Sequence, residues 1–402
     1  MQARDKGLDE NKERKKSLNY SKAFGLISMT KKRVKMSPYA ERYHSDEVVY
    51  LSYAGRAVPL TNGIDPLEGY RKLREGVALF DVPEKPLSIK GPDAGKFMDK
   101  IFTRNASLMK PMKALYALAC LPNGGILMDG IIIRLAEDHF WYIQADGEFQ
   151  VWLDAHSNDY QVNIEDPKSH VLQIQGPKAL EVLSRASGVP MDETLRYFNA
   201  SYFTIGGQKV LISRTGWTGE VGVEVYGHEG LDHLALWDSF FEAGKPFDLS
   251  WHAADAMGTR RLEAGILDNG TDIDRGLTPF TAGLEKFVDF KNHSFIGRAA
   301  LINSNQKRLL YGIVADSVIP TSNFKVYNDS KIVGKITAGD WSPELKCGIG
   351  YVRFEGHNEL SEVWLNEKVM IQDNEKCLHE AKVVELPFFD KGKDIPKGVK
   401  VP

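Results

Sequence analysis

The amino-acid sequence predicts an α+β fold with two or three packed domains and a small β-barrel at its C-terminal end. The chain has 402 residues, more than one hydrophobic core usually serves, so several domains are expected. Short β-rich runs alternate with helical stretches, but without the regular βαβ spacing of a doubly wound parallel sheet. Beyond residue 303 nearly every predicted element is a strand, and these strands follow one another at hairpin spacing.

The chain divides into four predicted regions. Residues 1–36 are crowded with lysine and arginine and show little apolar periodicity, which is typical of a disordered basic extension. Met36 is an alternative start of the protein, in which case the preceding segment has no function. Residues 37–300 contain two α+β domains, residues 301–390 form the β-barrel domain, and residues 391–402 are a tail.

Apolar periodicity predicts the individual elements. Leu67, Tyr70 and Leu73 recur every three residues, which predicts a helix over 65–75. Further helices are predicted over 178–186 and 231–243. Strands are predicted over 86–90, 130–135, 140–144, 309–315, 323–327, 331–338, 348–354 and 362–365.

Composition narrows the class of protein. The formal net charge of -3 gives no general attraction to polyanions, so nucleic acid is not an expected partner. No run approaches the roughly 18 to 20 apolar residues of a membrane-spanning helix, so no membrane association is expected. The three cysteines are far apart and form no C-x-x-C pair, which argues against a zinc site or a disulfide framework and favours a cytoplasmic location.

Asp129 is the first candidate for a functional residue. It lies in the segment Asn123–Gly130, in which a glycine turn leads into a strand and leaves one carboxylate among apolar neighbours. Burial of a charged carboxylate is costly unless donors or cations offset the cost. Asp129 is therefore either an acid with a specific partner or a strand-start residue satisfied by turn amides.

The segment Ser213–Glu224 is the second candidate. Its three glycines at intervals of three allow the backbone to approach something flat or bulky. In the strand pattern, Glu224 shares a face with Gly222 and Tyr226. An acid that accepts two N–H donors complements an aminopyrimidine ring. The alternative is a glycine-rich hairpin with surface acids.

The third candidate is the helical segment Arg260–Gly265, followed by Asp272 and Asp274. Taken alone, this pattern favours a structural salt-bridge network over catalytic equipment. The sequence has no H-E-x-x-H motif, no P-loop and no dinucleotide-binding G-x-G-x-x-G after a strand. We therefore expect no metal site.

Taken in order, the motifs resemble the T-protein (aminomethyltransferase) family of the glycine cleavage system. The resemblance covers roughly residues 39–389. It includes Phe80-Asp81-Val82, Asn123-Gly124-Gly125 with Asp129, Gln175–Ala179, Ser213–Glu220, Arg261–Ala264 and Gly334–Gly339. This resemblance implies a three-domain clover-leaf that ends in a β-barrel, with the cofactor tetrahydrofolate in a central channel.

The resemblance also implies roles for individual residues. Asp129 matches the catalytic aspartate near the reacting nitrogens of folate, and Glu224 matches the glutamate that holds the pterin ring. Tyr116 lines the channel, and Trp217 replaces the tyrosine that is usual in the glycine-rich motif. Arg261 belongs to the matching helix and is expected to bind the folate with these residues. The remaining expectation is that the substrate contacts Trp141 and Tyr226.

Some positions depart from the aminomethyltransferase pattern. Pro83-Glu84 stands where Ser-His is usual, and Met128 and Met257 replace an aspartate and an arginine. These departures, with Trp217, are similar to those of the dimethylsulfoniopropionate demethylase branch. The leading hypothesis is a folate-dependent methyltransferase or demethylase that takes a methyl group from a small sulfonium or ammonium donor such as dimethylsulfoniopropionate. The alternatives are an aminomethyltransferase, which would also need a lipoyl carrier protein, and a non-catalytic folate-binding protein.

Overall fold

The computed structural model describes residues 34–291, 293–304, 306–355 and 364–399. Most of the predicted N-terminal extension lies outside these ranges. Near its end, Lys35 is paired with the turn after the first strand, since its N–H donates to the Gly55 carbonyl oxygen at 3.0 Å. At the other end, the predicted tail contains a short helix, Asp394–Lys397.

The strands are β1 Val49–Tyr53, β2 Arg56–Thr61, β3 Ala78–Val82, β4 Lys85–Lys90, β5 Lys113–Cys120, β6 Ile126–Ala136, β7 His139–Gln144, β8 Asn163–Glu165, β9 His170–Gln175, β10 Ala200–Ile205, β11 Gln208–Ser213, β12 Gly222–Gly227, β13 Ser250–Trp251, β14 Leu310–Ala315, β15 Lys325–Asn328, β16 Lys331–Ser342, β17 Cys347–Phe354, β18 Lys368–Gln372 and β19 Leu378–Val384. The α-helices are α1 Pro66–Glu75, α2 Ala94–Ile101, α3 Phe149–Ala155, α4 Ala179–Ser187, α5 Met191–Thr194, α6 His233–Gly244, α7 Asp255–Glu263, α8 Arg298–Ile302 and α9 Asp394–Lys397. Short 3-10 helices lie at Ala40–Arg42, Ala106–Leu108, Lys245–Phe247 and Glu285–Phe287.

Local sequence signals set the ends of several helices. Asp65 caps α1 by accepting a hydrogen bond from the Leu67 N–H at 3.0 Å, and Pro66 begins the helix. Asp232 caps α6 in the same way. The helix α4 ends at Gly188, whose φ of 71° lies in the left-handed region that glycine enters without strain. The helices predicted over 65–75, 178–186 and 231–243 are therefore confirmed to within two residues.

The N-terminal two-thirds of the chain contains two large sheets and a two-stranded antiparallel sheet of β1 and β2. One is a six-stranded sheet in the order β10-β11-β12-β9-β3-β13, in which only the β13–β3 pair is parallel. The other is an antiparallel five-stranded sheet in the order β5-β6-β7-β4-β8. One face of the first packs against α4 and α6, and one face of the second packs against α2 and α3.

The remaining faces of the two sheets share one apolar cluster, which we call the junction. It is defined by buried side chains from both sheets together with α1 and α7: Leu73, Ala78, Phe80, Val82, Ala114, Ile133, Trp141, Ile143, Val171, Ala200, Leu211, Tyr226, Ala256 and Met257. Because the side chains of a strand alternate between faces, Ala78, Phe80 and Val82 of β3 and Trp141 and Ile143 of β7 all belong to this cluster. The junction is thus an interior boundary between two domains.

The C-terminal strands close into a barrel in the order β14-β17-β16-β15-β18-β19. Pairing of β14 with β19 completes the ring, so no strand edge is left open. Part of the strand predicted over 362–365 lies outside the described residues, and Trp364 and Leu365 precede β18. The strands β18 and β19 were not predicted from the sequence; in them, buried Val369, Ile371, Ala381 and Val383 alternate with more exposed residues.

Candidate functional site

Two carboxylates project into the junction from opposite sheets. Glu224 on β12 shares its face with Tyr226, as predicted, and Asp129 on β6 shares its face with Ile131 and Ile133. Asp129 is 7% exposed and Glu224 is 5% exposed. Each acid therefore lies buried on the junction-facing side of its own sheet, although 95 residues separate them in the sequence (224 minus 129).

Asp129 is held by a tyrosine from the neighbouring strand. It lies opposite Leu118 in the β5–β6 register, and the Tyr116 hydroxyl donates diagonally to Asp129 Oδ2 at 2.9 Å. The other oxygen, Oδ1, is buried and has no hydrogen-bond donor in suitable geometry among the described residues. Burial raises the pKa of Asp129 to about 6, while the Tyr116 hydroxyl and the Asn269 amide oppose that rise. An acid with such a pKa accepts or releases a proton near neutral pH.

Glu224 is held by several donors of its own sheet. Thr215 Oγ1 donates to Oε2 at 2.5 Å, the Tyr226 hydroxyl donates to the same oxygen at 2.8 Å, and Gln173 Nε2 donates to Oε1 at 2.9 Å. Burial raises the pKa of Glu224, and these donors counteract the rise. The carboxylate therefore has a fixed orientation before any ligand arrives.

Aromatic rings surround the two acids. Trp141 is 8% exposed and meets Tyr226 edge to face, with ring centroids 5.8 Å apart. Trp217 packs against the junction cluster, and Tyr116 contacts Phe287 edge to face at 4.7 Å. Such rings offer flat apolar walls to a planar ligand. The binding roles predicted for these residues remain predictions.

The glycines of the second motif serve packing inside the protein. A Cβ atom at Gly222 would lie 2.5 Å from the side chain of Gln175, and one at Gly216 would lie 2.4 Å from it. At Gly219 the obstacle would be Ala264 Cβ at 2.5 Å. The close approach of these neighbouring side chains is therefore sufficient to explain why glycine stands at the three positions. The predicted approach of the backbone to a flat or bulky group is not needed to explain them.

The third motif forms a buried ion-pair network, as the sequence favoured. Arg260 Nε contacts Glu220 Oε1 at 2.5 Å, and Arg74 reaches the same oxygen at 2.5 Å. Arg261 Nη1 contacts Asp272 Oδ2 at 2.6 Å, and its guanidinium carbon lies 5.2 Å from the centre of the Trp217 ring. Arg261 thus supports a wall of the site, and its predicted contact with folate remains a prediction.

Two residues at the junction were not predicted as site residues. Glu84 was noted only as a departure from the family pattern, yet Gln173 Nε2 donates to its Oε1 at 3.1 Å and so bridges it to Glu224. Tyr53, at the end of β1, was not singled out. The one signal in the sequence for Glu84 was the unusual Pro83-Glu84 pair. Its contact with Gln173 could not be predicted, because Gln173 lies on a strand almost ninety residues away in the chain.

Within the described ranges, no group of three or more His, Cys, Asp or Glu side chains is arranged to hold a metal ion. In the same part of the chain, none of the helices combines the length and the apolar character that crossing a membrane requires.

Comparisons with known proteins agree with the fold. Two family models match: the GCVT N-terminal domain over residues 66–292 and the glycine cleavage T-protein C-terminal barrel domain over residues 308–390. The chain is similar to the aminomethyltransferase of Alkaliphilus metalliredigens, with 31% identity over 369 residues, covering 89% of this chain and 98% of the relative. It is also 31% identical over 327 residues to the aminomethyltransferase of Thermoanaerobacter sp. (strain X514), covering 79% of this chain and 88% of the relative.

A solved structure supports the architecture. The glycine cleavage system aminomethyltransferase T from Bartonella henselae matches with a TM-score of 0.79 and 24% identity, covering 89% of this chain and 98% of that one. The predicted clover-leaf fold with a C-terminal barrel is therefore confirmed.

Proposed function

Because the chain belongs to the glycine cleavage T-protein family and is a tetrahydrofolate-dependent transferase, we propose that it transfers an aminomethyl-derived one-carbon unit to the folate at the junction. The observation that carries this proposal is that Asp129 and Glu224 are both buried on the strand faces that carry junction residues. The relatives named aminomethyltransferase favour this reaction over the methyl transfer that headed the sequence analysis.

The residues at the junction fit a reduced folate. A pterin ring has a planar face and an edge with N–H donors, and the junction supplies aromatic walls and buried carboxylate oxygens. Asp129 Oδ1 is a buried acceptor that receives no hydrogen bond of regular geometry from the described residues, although the Asn269 amide is close enough to lower the pKa, and it is therefore available to a ligand N–H or a proton. We assign folate binding to Glu224, Tyr116, Trp217 and Arg261, in agreement with the family resemblance.

The two acids have different tasks in this proposal. Tetrahydrofolate supplies the nitrogen that receives the carbon. Glu224, fixed by three strong donors, orients the ring edge. Asp129, with a pKa raised to about 6, is poised to take up a proton at Oδ1 as the new bond forms. Trp141 and Tyr226 are proposed to border the donor, and a lipoyl carrier protein is proposed as the partner that delivers it.

Methyl transfer from a small sulfonium or ammonium compound is the second candidate. It is favoured by the departures from the aminomethyltransferase pattern, which are Trp217, Met128, Met257 and Pro83-Glu84 where the family pattern has Ser-His. A carboxylate at this position suits a permanently cationic donor better than an imidazole does. Dimethylsulfoniopropionate is one compound of that class.

Product analysis separates the two candidates. The protein is incubated with tetrahydrofolate and either aminomethylated lipoyl carrier protein or dimethylsulfoniopropionate, and the folate products are separated by chromatography. Formation of 5,10-methylenetetrahydrofolate with release of ammonia supports aminomethyl transfer. Formation of 5-methyltetrahydrofolate only with the sulfonium would transfer support to the second candidate, and no folate product from either donor would refute both.

A further inference from the structure

Glu84 is a partly exposed residue beside the junction whose side-chain Oε2 is buried, and the proposed reaction gives it no role. It lies between β3 and β4, next to the junction strand that ends at Val82. Its Oε1 accepts from Gln173 Nε2 at 3.1 Å, whereas its Oε2 is buried and receives no hydrogen bond of regular geometry from the described residues, although the Glu84 main-chain N–H is close enough to lower the pKa of the carboxyl. Buried polar atoms in native proteins are nearly always paired, so an unpaired one needs an explanation.

The amide that bridges the two acids has an unpaired atom of its own. Gln173 is 0% exposed, and its Oε1 has no donor among the described residues, although its Nε2 serves both Glu84 and Glu224. Two acceptors from adjoining side chains are therefore left without a hydrogen bond of regular geometry. Such open acceptor atoms match a ligand that brings positive charge or N–H donors.

The surrounding charge disfavours the ionised form of Glu84. Burial and the Glu224 carboxylate both raise the pKa of Glu84, to about 8, and the Arg56 guanidinium opposes this only in part. One nitrogen of Arg56 is engaged by the Glu84 main-chain carbonyl oxygen at 2.8 Å. A cation placed beside the Glu84 side chain would offset this cost, whereas an anion would increase it.

Tyr53 is the last residue of β1, and the turn that follows it leads to Arg56, whose side chain contacts the Glu84 main chain. Its turn is tied down on both sides, since Asp146 Oδ1 accepts from the Ala54 N–H at 2.6 Å and Arg56 reaches the Glu84 carbonyl. Burial raises the pKa of Tyr53, and the charges of Asp268, Glu84, Asp129 and Asp146 raise it further, which puts its hydroxyl within electrostatic reach of all four. An aromatic ring among carboxylates is a favourable environment for a cation.

We propose that Glu84 and the Gln173 amide oxygen, with the Tyr53 ring as a wall, bind the positively charged head of the one-carbon donor. This inference rests on the proposed function, because it places the donor next to Asp129. The one-carbon donor is then a cation. Its charged group is an aminomethyl ammonium group in the first candidate reaction and a sulfonium or quaternary ammonium group in the second. Glu84 is a binding residue in this scheme and takes no part in proton transfer.

Binding of a minimal cation tests the proposal. The probe is tetramethylammonium chloride, and tert-butanol serves as a neutral molecule of similar size; binding to the full-length chain is followed by saturation-transfer NMR. We expect the wild type to bind the cation and not the alcohol. Glu84→Gln keeps the size and loses the charge, so the dissociation constant should rise about tenfold. Glu84→Asp keeps the charge and should recover part of the affinity.

Companion variants check the site and the fold. Tyr53→Phe should bind the cation within about threefold of the wild type because the ring is retained, whereas Tyr53→Leu should lose about as much affinity as Glu84→Gln. The exposed carboxylate variant Glu181→Gln is the matched control and should not change binding. Circular dichroism melts show whether each variant folds.

The outcomes separate this inference from the proposed function. Equal affinity for the cation in the wild type and Glu84→Gln, or no binding by the folded wild type, would overturn the Glu84 site. Tetrahydrofolate is titrated separately by calorimetry, and Glu84→Gln should bind it within about twofold of the wild type. If the wild type fails to bind tetrahydrofolate, the proposed function falls whatever the cation does. If folate binds and the cation does not, the Glu84 inference alone falls.

Discussion

Replacing Asp129 by asparagine is expected to stabilise the fold while it removes activity. The substitution keeps the shape of the side chain and its ability to accept from Tyr116 Oη, but it removes a charge that is buried between two sheets. The pKa of Asp129 rises from 3.8 to about 6 on folding, because burial penalises the charged form. A rise of about two units at 1.36 kcal/mol per unit corresponds to about 3 kcal/mol of stability lost when the group is ionised.

The sign of this effect gives it a pH signature. Because the folded pKa lies above the unfolded value, the folded state binds the proton more tightly, and the wild type loses stability as the pH rises from about 4 to about 6. At pH 7 to 8 the loss is complete. Asp129→Asn does not titrate, so its advantage of about 3 kcal/mol is present at pH 7 to 8 and shrinks to nothing near pH 4.

Urea unfolding at several pH values measures this difference. Both proteins are unfolded between pH 4 and 8, and exposed Asp159→Asn is the control, for which no difference is expected at any pH. In parallel, turnover of Asp129→Asn should fall by at least about a hundredfold while its affinity for tetrahydrofolate changes little. A stability difference that does not vary with pH, or a variant that is active, would refute the assignment of Asp129 as a buried proton acceptor.

Three other substitutions test separate parts of the site. Glu224→Ala removes the carboxylate that is proposed to hold the ring edge, so the dissociation constant for tetrahydrofolate should rise about tenfold to a hundredfold by calorimetry; unchanged affinity would contradict its role. Gly222→Ala forces a methyl group to within 2.5 Å of Gln175 and should cost about 1 to 3 kcal/mol in urea unfolding; a neutral result would show that the glycine is not needed for packing. Asp272→Asn leaves Arg261 as a buried charge without its carboxylate and should cost about 3 to 5 kcal/mol; a cost below about 1 kcal/mol would mean that water reaches the pair.

Sequence periodicity was sufficient for the elements that depend on local patterns. The helix after Asp65 has its cap, its proline and its apolar spacing within ten residues, and the structure has it at Pro66–Glu75. The shared face of Glu224 and Tyr226 follows from strand alternation alone, and the hydrogen bond between them at 2.8 Å agrees with it. The motifs were also sufficient to identify the family, because their order along the chain is specific even where each is weak.

The arrangement of the site was decided by tertiary packing. Alternation shows which face of a strand is buried, but it does not show which sheet lies against that face. For that reason the hydrogen bond between Gln173 and Glu84 could not be predicted from the sequence. The buried oxygens of both side chains that lack a regular hydrogen bond could not be predicted either. The same limit applies to the motif glycines, whose neighbours Gln175 and Ala264 are distant in the chain. Local chemistry determined the kinds of residues available to this protein, whereas long-range packing decided which of them face one another.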